Sequence, residues 1–289
     1  MHFTKQKEHI NEIKENGYTI IRNATSPDLT NRLLKTVIEI REKRWAIAEE
    51  HGYPTRANGC VFGLQNESLL LIRTMFSHPI TTPIAINLLN DSWYKAIAPD
   101  RPNFISRNGI RAQSSGKDGL FMHIDSFIPG TGKRPWLLQV FMVLEDQDES
   151  NGTTLVVPKS HLSDEYATPE SLKDAIPLCP KAGDIIIWDG RLWHGTTPNP
   201  EEKSRLVLAS GFSCWFIKPK FDLPGALPDS IYQQLTDDEK VIMGFASPTF
   251  SDEFDPRFTE DTHNARAGYD VFPRHAPSFY RKREMTSDA

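Results

Sequence analysis

The sequence predicts a mainly β protein with flanking helices, built round a sandwich or barrel-like jelly roll. Three observations carry that expectation. Apolar residues recur at helical spacing mainly in the first third of the chain. Leu137–Leu144 is an almost unbroken apolar run, as in a strand covered on both faces. Around it, short apolar segments alternate with Gly, Pro, Asn and Asp, the turn punctuation of a closed antiparallel fold.

Taken in order, Thr4 is expected to cap a first helix that ends at Gly17, a residue suited to the left-handed conformation. A short strand, Tyr18–Ile21, follows. Ser26-Pro27 offers an N-cap and a proline at the first helical position. Leu29, Leu33, Val37 and Ile40 then form one helical stripe. Shorter helices are expected over Glu67–Phe76 and Thr82–Leu89. Strands are expected over Thr153–Val157, Asp184–Trp188 and Leu206–Phe216 as well as Leu137–Leu144. One helix is expected over Asp229–Met243. The chain reads as a single domain over 1–289: a helical part to about residue 100, a jelly-roll core over about 101–218, and an extension from about 219.

Bulk properties narrow the function classes. The 289 residues carry a formal charge of −5, and the one basic run is Arg281-Lys282-Arg283, so a nucleic-acid partner is not expected. Three widely spaced cysteines, Cys60, Cys179 and Cys214, form neither a disulfide framework nor a CxxC zinc motif. The N-terminal segment is too polar for a signal peptide, and no apolar run is long enough for a bilayer. These features predict a cytoplasmic protein, a monomer or homodimer, acting on a small molecule without a membrane.

The chemistry concentrates in three segments. In His123-Ile124-Asp125, residues two apart on a strand share a face, so an imidazole and a carboxylate can meet one ion. In Asp184-Ile-Ile-Ile-Trp188-Asp-Gly-Arg-Leu-Trp193-His194-Gly195-Thr196 a strand leads through a turn into a second histidine. Two histidines and one carboxylate are the facial set of non-haem iron(II) oxygenases. They leave positions on an octahedral ion for a chelating 2-oxo acid and dioxygen. The same set can hold zinc in a hydrolase or isomerase. Arg205 follows His194 by eleven residues across a turn-rich segment. That spacing suits a hairpin with the two residues on adjacent strands. The arginine's planar fork suits the far carboxylate of 2-oxoglutarate. A zinc hydrolase has no need of it, and a catalytically silent binding protein would be free to lose a ligand.

These residues resemble the phytanoyl-CoA dioxygenase family. The likeness rests on His123-Ile-Asp125, Asn151-Gly152 through Pro158-Lys159-Ser160-His161, Ala182-Gly183-Asp184 through Trp193-His194-Gly195-Thr196, and Arg205. Gly17-Tyr-Thr-Ile-Ile-Arg-Asn-Ala-Thr-Ser-Pro27 resembles the family's opening, and the whole likeness spans roughly residues 8–218. It implies a double-stranded β-helix (cupin-like jelly-roll) core, iron(II), and dioxygen and 2-oxoglutarate as co-substrates, with succinate and carbon dioxide released. His123, Asp125 and His194 match the metal ligands, Arg205 the co-substrate anchor and Thr196 a supporting hydroxyl. Lys159 departs from the family's usual glycine, at a turn. Halogenating relatives replace the acidic ligand by Gly or Ala, so the intact Asp125 favours hydroxylation.

Other residues are read more plainly. His161 is expected to fix a loop. Arg111 and Gln113 share a strand face, and Gln139 interrupts an apolar run, so Arg111 and Gln139 are candidates for the cavity, binding 2-oxoglutarate or substrate. Trp136, Trp188 and Trp193 read as packing residues. Phe127 and Trp136 flank a loop at the pocket mouth. Lys133 and Arg134 on that loop could meet an anionic substrate, but a solvated loop is the expectation.

Overall fold

The computed structural model describes residues 2–53, 60–92, 99–130 and 132–247. The basic run Arg281-Lys282-Arg283 and the end of the C-terminal extension lie outside the described residues.

Helix α1 (His2–Asn16) leads into strand β1 (Tyr18–Ile21) and helix α2 (Pro27–Glu50). Gly17 makes that first turn at φ +88°, where a Cβ would lie 2.5 Å from Leu192 and 2.7 Å from His161. Thr4 does not cap α1 but lies inside it. No glycine or proline interrupts the segment from His2, so the helix begins earlier. Ser26 caps α2 as expected, its hydroxyl accepting from Leu29 N at 3.3 Å with Pro27 at the first position. Strand β2 (Val61–Phe62) and helices α3 (Leu69–Phe76) and α4 (Thr81–Leu89) complete the N-terminal part.

The remaining strands are β3 (Phe104–Ser106), β4 (Arg111–Gln113), β5 (Leu120–His123), β6 (Leu137–Val143), β7 (Thr154–Val156), β8 (Ile176–Pro177), β9 (Ile185–Asp189), β10 (His194–Thr196) and β11 (Val207–Cys214). They form two antiparallel sheets. The larger runs β1-β9-β6-β11-β4-β2, with β3 also on β11, and the smaller runs β5-β10-β7-β8. Period-two alternation divides the large sheet's side chains. Leu138, Val140, Met142, Ile185, Ile187, Leu208 and Phe212 join the helices in one core. Phe141, Val143, Ile186, Trp188, Val207 and Ala209 pack with Val156 of the small sheet in a second. Both faces of β6 are thus covered, which is why its sequence hardly alternates. Each fully buried aliphatic or Phe side chain here contributes about 1.5–3 kcal/mol.

The helix expected over Asp229–Met243 is in fact two. After α5 (Leu223–Ala226), α6 (Asp229–Tyr232) stops and α7 (Asp237–Ile242) starts afresh. The break is a capping box at Thr236. Its hydroxyl accepts from Glu239 N, and the Glu239 carboxylate accepts from Thr236 N. Glu239 is fully buried and also binds Arg73 at 2.6 Å and Ser77 at 2.7 Å on α3. No single described helix is long and apolar enough to cross a membrane. The bent pair α3 and α4 has the length and composition but contributes to the inner core.

Candidate metal and co-substrate site

Strands β5 and β10 are antiparallel neighbours, and their register puts His194 directly opposite His123. The two imidazole rings lie 4.2 Å apart. Asp125 falls just beyond β5 rather than on it. Its backbone is fixed instead by Gly190, whose carbonyl accepts from Asp125 N at 2.7 Å and Ser126 N at 2.9 Å. The Asp125 carboxylate then lies 3.2 Å from His194 Nε2 and 4.0 Å from His123 Nε2. One ligand atom from each of the three residues falls within 4.8 Å of the others.

The donor set fits an ion. His123 Nδ1 lies 2.9 Å from the Phe121 carbonyl and His194 Nδ1 lies 2.8 Å from the Leu192 carbonyl. A carbonyl can only accept, so both Nδ1 atoms carry a proton, which leaves both Nε2 atoms, on the Asp125 side, as the positions that can bind an ion. Metal bonds of about 2.1 Å separate adjacent ligands on an octahedron by about 3 Å, close to the observed Asp125–His194 spacing. Burial pushes the Asp125 carboxyl upward, but His194, His123 and Arg111 outweigh it and hold the group well below the usual range. Burial lowers His194, yet Asp125 outweighs it and raises the imidazole above its ordinary value. His123 is lowered, chiefly by burial.

Arg205 reaches this interior by a different route from the one expected. The His194–Arg205 hairpin does not form. Strand β10 lies between β5 and β7 in the small sheet, whereas Arg205 leads into β11 in the large one. With both edges of β10 occupied, no place remains beside it for the Arg205 segment, and the intervening loop crosses between sheets. Arg205 is 1% exposed. Its Nε donates to the Gly152 carbonyl at 2.7 Å, and its Nη2 is buried without a hydrogen-bond partner among the described residues. Burial depresses the guanidinium to about 10. The hydroxyl of Thr196, two residues along β10 from His194, lies 3.2 Å from Ser115 Oγ. Ser115 in turn packs on Gly152, where a Cβ would sit 2.3 Å from the Ser115 Cβ. Gly152, at φ +88°, therefore admits Ser115 while offering its carbonyl to Arg205.

A second polar group lies on the inner face of the large sheet. Arg111 Nε donates to Gln113 Oε1 at 2.8 Å and Nη2 donates to Gln139 Oε1 at 3.3 Å. Its Nη1 has no hydrogen-bond partner among the described residues. Burial depresses the guanidinium, offset in part by Asp125. His161 stays away from the metal cluster; its Nε2 meets the Lys14 carbonyl at 3.2 Å, fixing α1. Trp188 is buried against His194 and Phe141. Trp193 donates to the Glu165 carbonyl at 2.9 Å. Arg134 is not simply solvated; it donates to the carbonyls of Leu89 and Asn90 at the end of α4. Phe127 is exposed at φ +63°, with the Arg107 guanidinium 4.9 Å from its ring centroid and Tyr166 OH donating to its carbonyl. Ser115 and Gly190 went unread in the sequence, one in an ordinary Ser-Gly turn and the other acting only through its carbonyl.

The family model for phytanoyl-CoA dioxygenase (PhyH) matches residues 13–207. The chain is 24% identical to dioxygenase af480 of Aspergillus fumigatus over 81% of this chain and 75% of that protein. Among solved structures it resembles HygX from Streptomyces hygroscopicus, crystallised with nickel and 2-oxoglutarate, at TM-score 0.54 and 15% identity over 73% of this chain and 88% of that one. It also resembles the epimerase SnoN, in complex with Fe3+, alpha ketoglutarate and nogalamycin RO, at TM-score 0.53 and 16% identity over 75% and 87% of the two chains. The structural likenesses bear on the jelly-roll fold.

Proposed function

The chain belongs to the phytanoyl-CoA dioxygenase family of iron(II)- and 2-oxoglutarate-dependent oxygenases, and from that premise we propose that it hydroxylates a small organic metabolite, in a biosynthetic setting. The observations that carry this reading are a three-donor cluster on the small sheet and, leading into the facing sheet, a buried guanidinium with an unfilled Nη2. Iron(II) held by His123, Asp125 and His194 supplies dioxygen activation coupled to oxidation of 2-oxoglutarate to succinate and carbon dioxide.

The chain's own residues supply the rest. The Leu192 and Phe121 carbonyls fix the two imidazole tautomers, so neither ring must reorient to bind. Arg205 takes the distal carboxylate of 2-oxoglutarate through a charge-assisted hydrogen bond, strengthened by the dry surroundings. Thr196, already near Ser115, supports the same carboxylate with its hydroxyl. Arg111 and Gln139 offer polar contacts to the bound small molecules. Trp188, Phe141, Val156 and Val207 keep water from the interior. The intact Asp125 favours hydroxylation over halogenation. No described cluster of basic residues is built for a CoA phosphate, which favours a free substrate.

The test is aerobic incubation with iron(II), ascorbate, 2-oxoglutarate and a metabolite panel, following succinate. Anaerobic addition of iron(II) and 2-oxoglutarate is expected to give a visible charge-transfer band. His123→Ala is expected to abolish both signals, and Asp125→Ala to abolish substrate-dependent succinate formation. Absence of both in the wild type refutes the reading.

A further inference from the structure

We propose that Arg111, backed by Gln113 and Gln139, is a second carboxylate-binding residue of the barrel interior, and that the carboxylate it binds is the substrate's. This rests on the functional reading above. Arg111 is 7% exposed, and two of its three nitrogens are held by neutral amide oxygens. No carboxylate lies within ion-pair distance of it among the described residues, and Nη1 has no hydrogen-bond partner there. Arg205 shares this condition, whereas three buried carboxylates each have a cation: Asp184 with Arg22, Asp189 with Arg191, and Glu239 with Arg73. A buried cation without an anion is costly, so the unfilled position calls for a ligand of opposite charge.

Charge balance says whose carboxylate it is. Iron(II), Arg111 and Arg205 bring four positive charges to the interior. Asp125 and 2-oxoglutarate bring three negative ones. Of the two carboxylates of 2-oxoglutarate, one goes to Arg205 and the other chelates the metal, so both are already engaged. One positive charge remains, on the arginine whose nearest anionic neighbour is a metal ligand, and a monocarboxylate cancels it. Gly211 stands opposite Gln139 on β11, and a Cβ there would come within 3.3 Å of Gln139 Oε1, so the absence of a side chain lets Gln139 keep its place beside Arg111. Phe121 and Phe127, 77% and 67% exposed, bracket the His123–Asp125 segment and suit an apolar body on the same substrate. The substrate class is therefore an organic acid with an apolar portion.

The experiment titrates octanoate and its uncharged twin 1-octanol into protein loaded with nickel(II), with and without 2-oxoglutarate, by calorimetry. Wild type is expected to bind octanoate at least 10-fold more tightly than 1-octanol. Arg111→Gln is expected to bring the two within 3-fold while changing 2-oxoglutarate affinity by less than 3-fold, and Arg111→Lys to restore part of the preference. If Arg111→Gln does not fold, Gly211→Ala presses on Gln139 Oε1 and so disturbs the support of Arg111; it is expected to weaken octanoate at least 3-fold with 2-oxoglutarate unaffected. Equal binding of the two probes by wild type, or octanoate affinity unchanged in these variants, overturns the proposal. So does a 10-fold loss of 2-oxoglutarate affinity in Arg111→Gln, which would give Arg111 to the co-substrate. Failure of wild type to bind 2-oxoglutarate at all would instead overturn the functional reading, and the octanoate preference of the nickel-loaded protein would still judge Arg111.

Discussion

Arg205→Gln separates a 2-oxoglutarate enzyme from any other His₂Asp metal protein. In the structure Arg205 commits Nε to the Gly152 carbonyl and keeps Nη2 unpartnered. The substitution removes the positive charge and the donor available to the co-substrate carboxylate. One hydrogen bond to a charged group is worth about 1.5–3 kcal/mol, so 2-oxoglutarate affinity is expected to fall about 10- to 150-fold. Arg205→Lys keeps the charge but loses the fork, and its affinity is expected to lie between. The assay is the anaerobic iron(II) charge-transfer titration with 2-oxoglutarate, with nickel(II) affinity measured in parallel. Metal affinity is expected to hold, because the described hydrogen bond of Arg205 goes to Gly152 and to none of the three ligands. Thermal unfolding belongs beside it, since the Gly152 carbonyl loses its partner. A folded Arg205→Gln protein with 2-oxoglutarate affinity within 3-fold of wild type would refute the assignment.

Other outcomes follow from the same geometry. In the metal-free protein Asp125 raises His194 above the ordinary imidazole value of 6.5, so the proton competes with a metal beyond that pH. Nickel(II) affinity is therefore expected to climb as pH rises through 6.5 and to level off only above the raised value, and calorimetry from pH 6 to 8 checks it. Gly152→Ala combines a φ of +88° with a Cβ 2.3 Å from Ser115. It is expected to cost about 2–4 kcal/mol in urea unfolding and to weaken 2-oxoglutarate by shifting the Arg205 anchor. Ser115→Gly in the same chain is expected to restore part of both. Glu239→Ala removes the buried partner of Arg73, Ser77 and the Thr236 cap. It is expected to cost about 2–3 kcal/mol, while 2-oxoglutarate affinity stays unchanged.

Local chemistry was legible in the sequence and distant pairing was not. His123 and Asp125 could be read together because two residues of spacing keep them close, although Asp125 lies past the strand and is fixed by the Gly190 carbonyl. The apolar run at β6 showed its double burial directly. Ser26-Pro27 marked a helix start whose cap depends on three neighbouring residues. Thr236 carried the same kind of signal, Thr-x-x-Glu, yet the apolar positions around it favoured one continuous helix. Ser115 was silent because its partner Thr196 lies 81 residues away, and nothing near either residue records the meeting. Arg134 looked solvated because the carbonyls it caps belong to α4, more than 40 residues earlier.

The hairpin that does not form says most about the site. Eleven residues and a turn-rich composition are equally consistent with a return to the neighbouring strand and with a crossing to the facing sheet. Strand pairing decides between them, since β10 already has β5 and β7 on its two edges. The crossing loop is held by Asn199, which is fully buried and bonds Lys203 through both its backbone N–H and its carbonyl. As a result the two histidine ligands stand on one sheet, with Asp125 just past its edge, while Arg111 stands on the other and Arg205 leads into it. A small dianion bound between them would contact both sheets through charged groups, so binding would favour their closed packing and not only fill a pocket. Had the hairpin formed, ligands and anchor would lie side by side on one sheet, and the facing sheet would supply only packing. On the proposed role of Arg205, co-substrate binding would draw on both sheets, and Arg205→Gln tests that consequence of the fold as well as the chemistry.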